Sequence, residues 1–403
     1  MVTGWRLEAG DGRKNRRQLK GDSLREKGSG AKAGAPSVAR CQLAVASKFA
    51  PVFGLQPPAC PVWYDETHMI AVPRIALTMG DPAGVGPEVC LRALAEPSLC
   101  EVCTPVVFGD AAVLRRCAIQ TGLPTPEQVQ SRQDWPSLHR WLNVPTVLDL
   151  QRIDADRVVP GVVNADTGRA SYDYIQAAID AALAGEVAAV TTGPISKEAI
   201  HAAGINFPGH TEMFAARTHA PRSCMMQFSS EITCTFVTTH VGYLEVPRLL
   251  TIERIIDVIE LTAEAMRRIH QREPRLVVCG LNPHAGEHGL FGEREEERAI
   301  VPAIEAGRRL GLSIEGPLPP DTAFVPAKRR ETDAFICMYH DQGHIPVKAL
   351  AFDSAVNTTL GLPMVRTSVD HGTACDIAWR GQANPGSLFA ALRLAARLAT
   401  TRD

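Results

Sequence analysis

From Val72 onward, short apolar runs alternate with stretches in which apolar residues recur at helical spacing. Short apolar runs closed by Gly, Pro, Asn or His read as buried strands, and helical periodicity reads as amphipathic helix. Strands are expected at Arg74–Met79, Pro105–Phe108, Val187–Thr192, Thr233–Thr239, Arg275–Leu281 and Ala334–Tyr339. Helices are expected at Tyr172–Ala184, Thr251–Ile269, Glu293–Leu310 (with a charged face) and Ser387–Leu398. Ser196, with Glu198 in the following turn, is placed to cap one more. Strands alternating with helices argue for a mostly parallel sheet covered by helices. Ligands of such sheets bind outside the carboxyl ends of the strands, so the informative residues are those just past each run.

Three of the 12 histidines occupy that place: TCTFVTTH ends at His240, RLVVCGLNPH at His284 and DAFICMYH at His340. If the three strands share a sheet, the imidazoles gather at one edge. Three neutral imidazoles with an open position suit Zn²⁺, and also Co²⁺ or Mn²⁺. Each histidine alone would pass for a loop residue, and no H-E-x-x-H motif accompanies them. Asp341 is placed to orient an imidazole, and Lys348 to meet a phosphate or carboxylate. In Phe207–Glu212, Gly209 allows a tight backbone and Thr211 is expected to cap a helix over 212–217, leaving His210 at an anion-binding helix start. Gly80-Asp81-Pro82-Ala83-Gly84-Val85-Gly86-Pro87-Glu88 is neither G-x-G-x-x-G nor a Walker loop. It reads as a stiff turn.

Length and composition add bounds. The chain has 403 residues, 45% hydrophobic and 21% charged, with net charge -2. That size suits two domains, and the charge gives no argument for nucleic acid or membrane. No apolar run is long enough to span a bilayer. The 11 cysteines lie scattered, mostly in apolar segments, as expected of buried thiols in the cytoplasm. Cys100 and Cys103 form a lone C-x-x-C, weak grounds for redox chemistry or zinc. Residues 1–70 are basic, glycine-rich and then proline-broken, and are expected to be a disordered or dispensable extension, with Met69 as a natural start.

The motifs GDPAGVGPE (80–88), TTGPISK (191–197), PGHTE (208–212), TTH (238–240), GLNPHAGE (280–287), MYHDQGHIPVK (338–348), VNTTLGLP (356–363) and RTSVDHGTA (366–374) follow one another along the chain. In this the chain resembles the 4-hydroxythreonine-4-phosphate dehydrogenase family of pyridoxal phosphate biosynthesis. The resemblance implies two α/β/α domains with a cleft between them, like isocitrate and isopropylmalate dehydrogenases and unlike a Rossmann fold. The first domain would take 71–190 plus 355–403, the second 191–354. It also implies a homodimer with one divalent metal (Zn, Co, Mn or Mg) per site, held at the interface by His240, His284 and His340. Substrate residues fall on His210, Thr211, Lys348, Asn357 and Arg366. An NAD or NADP loop falls on His371, Gly372, Thr373 and Asp376, with Asn384 following. Three departures bear on substrate choice: Trp379 in place of a usual glycine, Asp353-Ser354-Ala355 before Asn357, and Gly242-Tyr243-Leu244 after His240.

The implied reaction is oxidation of 4-phosphohydroxy-L-threonine to a 3-keto acid that loses CO₂ to give 3-amino-2-oxopropyl phosphate. Lys348 and Asp321 are the candidates for accepting the alcohol proton. The GHIPVK run also resembles a catabolic branch acting on 4-phospho-D-threonate or 4-phospho-D-erythronate. A related dihydrodiol dehydrogenase branch ranks lower, because it lacks the G-H-T-E pattern intact here. Two other classes stand against these readings. A metal-storage protein would not need the loop at 371–377, and an acyl or phosphoryl transferase would have no use for three strand-end histidines.

Overall fold

The computed structural model describes residues 72–352 and 354–400. The expected extension at 1–70 lies outside them. The described residues form twelve strands: β1 (Arg74–Thr78), β2 (Thr104–Gly109), β3 (Val129–Ser131), β4 (Thr146–Asp149), β5 (Ala189–Thr192), β6 (Cys224–Phe228), β7 (Thr233–Phe236), β8 (Arg275–Cys279), β9 (Ser313–Leu318), β10 (Ala334–Cys337), β11 (Val356–Leu360) and β12 (Val365–Ser368). They make one sheet in the order β3-β4-β2-β1-β5-β12-β11-β6-β7-β10-β8-β9. Only β12–β11, β11–β6 and β6–β7 pair antiparallel. Strands of 71–190 and 355–403 fill one side of the order, and those of 191–354 the other.

All six expected strands are present, five of them slightly trimmed and β2 one residue longer at each end. They are apolar and buried: Ile75, Leu77, Val106, Val190, Phe236, Val278 and Phe335 are at most 1% exposed. Burying each such side chain contributes about 1.5–3 kcal/mol. Strands β6, β11 and β12 were not expected, because CMMQF, VNTTL and VRTS carry polar side chains that turn out to be buried.

Two helix expectations need correction. The helix expected from Tyr172 starts at Ala165 and runs to Leu183. Asn164 and Thr167 cap each other's backbone N–H groups at 3.1 Å, so the helix begins in a polar stretch where apolar periodicity is silent. The stretch expected as Glu293–Leu310 opens with a π-turn over Glu296–Ile300 and becomes α-helical over Val301–Arg309. Its acidic run is not simply a charged face, since Glu295 and Glu296 are buried. Ser196 does cap Lys197–Ala202, accepting from the Ala199 N–H at 3.2 Å.

Seven cysteines, among them Cys234, Cys279 and Cys337, are buried thiols. Burial pushes the Cys103 thiol up to about 12. Among the described residues no helix is long and apolar enough to cross a membrane.

Candidate metal and substrate site

Strands β7, β10 and β8 are parallel neighbours, so His240, His340 and His284 do leave the same edge of one sheet. Two of them meet. The rings of His240 and His340 lie 5.8 Å apart. His340 opens the helix His340–Ala351, and its Nδ1 lies 2.6 Å from Asp341 Oδ1. A carboxylate only accepts, so Nδ1 carries the hydrogen and Nε2 keeps the lone pair a metal would use. The Tyr243 hydroxyl donates to the other oxygen of Asp341. Desolvation lowers the pKa of His240, with Lys197 and His340 adding to it and Glu212 opposing. His240 is therefore a neutral imidazole, as a ligand must be.

His284 goes elsewhere. It is exposed, and its ring stacks on Phe291 at 5.9 Å. From His284 to His288 five consecutive residues hold left-handed φ between 43° and 79°, four of them not glycine. Such conformations cost about 1–2 kcal/mol per residue and persist only where the surroundings enforce them. Buried Glu296 does so. It accepts from the backbone N–H groups of Leu281 (2.9 Å) and Asn282 (2.8 Å) and from Asn282 Nδ2 (2.9 Å). Asp321, exposed in the short helix Pro320–Ala323, belongs to the same surface, for that helix packs on the 283–289 segment. Among the described residues no three His, Cys, Asp or Glu groups converge to hold a metal. One chain thus brings two of the expected ligands together and holds the third outward on an enforced turn.

A cavity of about 300 Å³ adjoins the histidine pair, lined by Lys197, His210, Thr211, Glu212, Asn357 and Arg366 among others. Nine buried side-chain N or O atoms among the described residues lack a hydrogen-bond partner. Six belong to residues lining this cavity: His210 Nε2, Gln227 Oε1, His344 Nε2, Asn357 Oδ1, Arg366 Nε and His371 Nε2. Buried polar groups are rarely left unpaired, so their concentration here marks a place built for a polar ligand.

Arg366 is 1% exposed, and its guanidinium donates to Thr192 Oγ1 (2.8 Å) and Thr359 Oγ1 (3.1 Å). Burial pushes its pKa down to about 9, and Glu212 only partly offsets this. A buried guanidinium bonded to hydroxyls is a strong anion receptor. His210 is held well below its usual range by burial, then by Arg366 and Lys197, so it is neutral. Thr211 does not cap its helix. The helix runs His210–Thr218 with Gly209 at the cap position and no side-chain cap. It starts earlier than expected, so Thr211 falls in the first turn, with its hydroxyl 3.4 Å from that of Thr359 on β11.

The expected cofactor loop lines a second cavity of about 280 Å³, walled by Lys348, Phe352, Asp370, His371, Ile377 and Asn384 among others. Asp370 and His371 line both cavities. The 80–88 turn braces this loop. The Val85 N–H donates to Thr373 O at 2.9 Å, and a Cβ on Gly84 would meet Thr373 O at 2.9 Å. Glu88 accepts from the Ala383 N–H at 2.7 Å. Trp379 is buried beneath the turn and donates to Pro82 O at 3.1 Å. Asp376 and Gly372 are exposed. Lys348 is no solvated lysine: its ammonium donates to Asp370.

Residue-by-residue reading missed Gln227, His344 and Asp370. His344 stacks between His340 (3.9 Å) and Phe236 (4.6 Å), and burial, then the charges of His340 and Lys348, push it down to about 3. It lies one helical turn past His340, which was its one available signal. Gln227 offered none, inside an unrecognised strand.

Comparison with known proteins gives the family. A family model described as the pyridoxal phosphate biosynthetic protein PdxA matches residues 101–395. The chain is 44% identical over 330 residues to a 4-hydroxythreonine-4-phosphate dehydrogenase of Desulforapulum autotrophicum, covering 81% of this chain and 96% of that one. It is 43% identical over 331 residues to a D-threonate 4-phosphate dehydrogenase of Cupriavidus necator, covering 82% and 98%. A crystal structure of a 4-hydroxythreonine-4-phosphate dehydrogenase from Burkholderia phymatum superposes with TM-score 0.70 at 41% identity, covering 81% and 98%. The chain therefore belongs to the PdxA family.

Proposed function

We propose that this chain is a cytoplasmic NAD(P)-dependent oxidoreductase acting on the secondary alcohol of a phosphorylated hydroxy acid. Its leading substrate is 4-phosphohydroxy-L-threonine, oxidised to a 3-keto acid that decarboxylates to 3-amino-2-oxopropyl phosphate on the way to pyridoxine 5'-phosphate. The observation that carries this reading is the cavity lined both by buried Arg366 and by the His240–His340 pair, with six unpaired polar atoms among its lining residues. A phosphate or carboxylate answers the first and an alcohol the second.

The donor set fits a divalent ion in part within one chain. His240 and His340 are adjacent imidazoles, and Asp341 fixes the tautomer of His340. His284 of a second copy completes the set. Apolar side chains flank both segments: Leu244 is 91% exposed, Leu290 70% and Tyr243 67%. Such a collar favours burial against another chain. When bound, the ion supplies a Lewis acid that lowers the pKa of the alcohol and supports the enolate charge left by CO₂ loss. Arg366 and neutral His210 hold the anionic end of the substrate, which fixes the reacting carbon. His371 and Asn384 would hold the nicotinamide cofactor in the adjoining cavity, with Thr373 kept in place by the 80–88 turn. Lys348, which lines the second cavity and donates to Asp370 at the wall of both, is the candidate to return a proton to the enolate carbon. Asp321 travels with His284 and is the candidate to accept the alcohol proton.

A panel of phosphorylated hydroxy acids, assayed with NAD⁺ or NADP⁺ and each metal, tests the reading. NAD(P)H formed mainly with 4-phosphohydroxy-L-threonine supports it. A dominant signal with 4-phospho-D-threonate or 4-phospho-D-erythronate selects the catabolic reading, which the 43% identity to the Cupriavidus necator enzyme supports about as well as the 44% identity to the Desulforapulum autotrophicum enzyme supports the first. No NAD(P)H from any of them contradicts both.

A further inference from the structure

Gln227 lies on β6 directly opposite Asn357 on β11. Cross-strand partners point to the same face of a sheet, and both side chains line the histidine cavity. Gln227 is 1% exposed. Its Nε2 donates to Asp370 Oδ1 at 3.0 Å. Asp370 also takes the Lys348 ammonium on its other oxygen, so it is a carboxylate that only accepts. That settles which end of the Gln227 amide faces it. The NH₂ end must, and the carbonyl Oε1 is what remains, buried and without a partner. Asn357 Oδ1, across the strand pair, is likewise buried and unpartnered.

We infer that Gln227 is a specificity-determining residue that accepts a hydrogen bond from the substituent on C2 of the substrate. This rests on the proposed substrate class. A fixed carbonyl oxygen rejects phosphate and carboxylate, which are acceptors themselves, and takes only a hydroxyl or an ammonium. The proposed substrates carry two such donors. The C3 hydroxyl is the reacting group and belongs to the histidine pair. The C2 amine or hydroxyl is the one left for Gln227, with Asn357 Oδ1 beside it as a second acceptor. A locked amide that reads a donor strongly disfavours an analogue lacking it, because its buried oxygen is then left unpaired.

The test compares wild type, Gln227→Leu and Gln227→Met on three substrates that differ only at C2. These are 4-phosphohydroxy-L-threonine (amine), 4-phospho-D-threonate (hydroxyl) and 3-hydroxy-4-phosphobutanoate (unsubstituted). Gln227→Leu should lower kcat/KM about tenfold or more on the first two, mainly through KM, and far less on the third. Gln227→Met, which keeps the unbranched chain and carries no hydrogen-bonding oxygen or amide, should give the same pattern and decides the matter should the leucine variant fail to fold. Equal losses on all three substrates with an unchanged preference would overturn the inference and leave the proposed function standing. Wild-type turnover of none of the three would sink both.

Discussion

Arg366 carries the sharpest residue-scale consequence. Its charge is buried, bonded to two hydroxyls and pushed down to about 9. Replacing a buried charge by an apolar side chain of similar volume is often neutral or stabilising, whereas losing a charge-assisted contact to substrate is costly. Arg366→Met should therefore keep or raise the melting temperature while kcat/KM falls by about two to three orders of magnitude. A variant that melts well below wild type would mean that Arg366 serves packing. Asp341→Asn is a second residue-scale test. It replaces a carboxylate that only accepts by an amide that also donates, so the His340 tautomer is no longer fixed, and should weaken metal binding about 10–100-fold by titration against a chelator. Unchanged affinity would remove Asp341 from the site. Most of these residues were legible in the sequence because they lie at strand ends in short, dense motifs. Gln227 was not, since its role depends on which strand lies opposite it, and pairing leaves no local mark.

Elements bring those residues together at some cost to stability. The left-handed turn at 284–288 is held by Glu296, whose carboxylate meets two backbone N–H groups. Glu296→Ala should destabilise the protein by about 2 kcal/mol in urea unfolding and sharply reduce turnover, because two half-buried N–H groups lose a charged partner. A mild loss of stability with full activity would separate the turn from the site. At the end of β1, burial raises Asp81 from 3.8 to about 6, against hydrogen bonds from Ala83 and Thr167 that lower it. The folded state thus binds this proton more tightly than the unfolded state. The contribution is fully present below about pH 4 and is lost as pH rises through 6, by no more than about 3 kcal/mol. Asp81→Asn should flatten that part of the stability profile, and an identical slope in the variant would contradict the assignment. At this scale the sequence spoke clearly where strands are apolar throughout. It was silent for β6, β11 and β12, whose buried polar residues serve the cavity, and for the polar first turn of Ala165–Leu183. The acidic run at 293–297 misled, because a charged residue recruited to brace a loop looks the same in sequence as one facing water.

At the scale of the whole molecule, the described residues build a twelve-stranded sheet whose carboxyl edge supplies His240 and His340 to one cavity and turns His284 outward, near exposed Leu290. The shared edge was foreseen from three apolar runs. The separation of His284 was not, because it depends on backbone conformations that Glu296 enforces from a distance. In the proposed dimer each site takes His284 from the other copy. Metal removal should therefore abolish turnover, and re-addition to the dimer should restore it.

The most direct measurement mixes two inactive variants, His284→Ala and His340→Ala, and allows their subunits to exchange. If each site joins His240 and His340 of one chain with His284 of the other, a mixed dimer contains one intact site and one doubly damaged site. Statistical exchange makes half the dimers mixed, so about a quarter of wild-type activity should return. If all three histidines of a site came from one chain, every site in the mixture would lack a ligand, and the mixture would stay as inactive as its components.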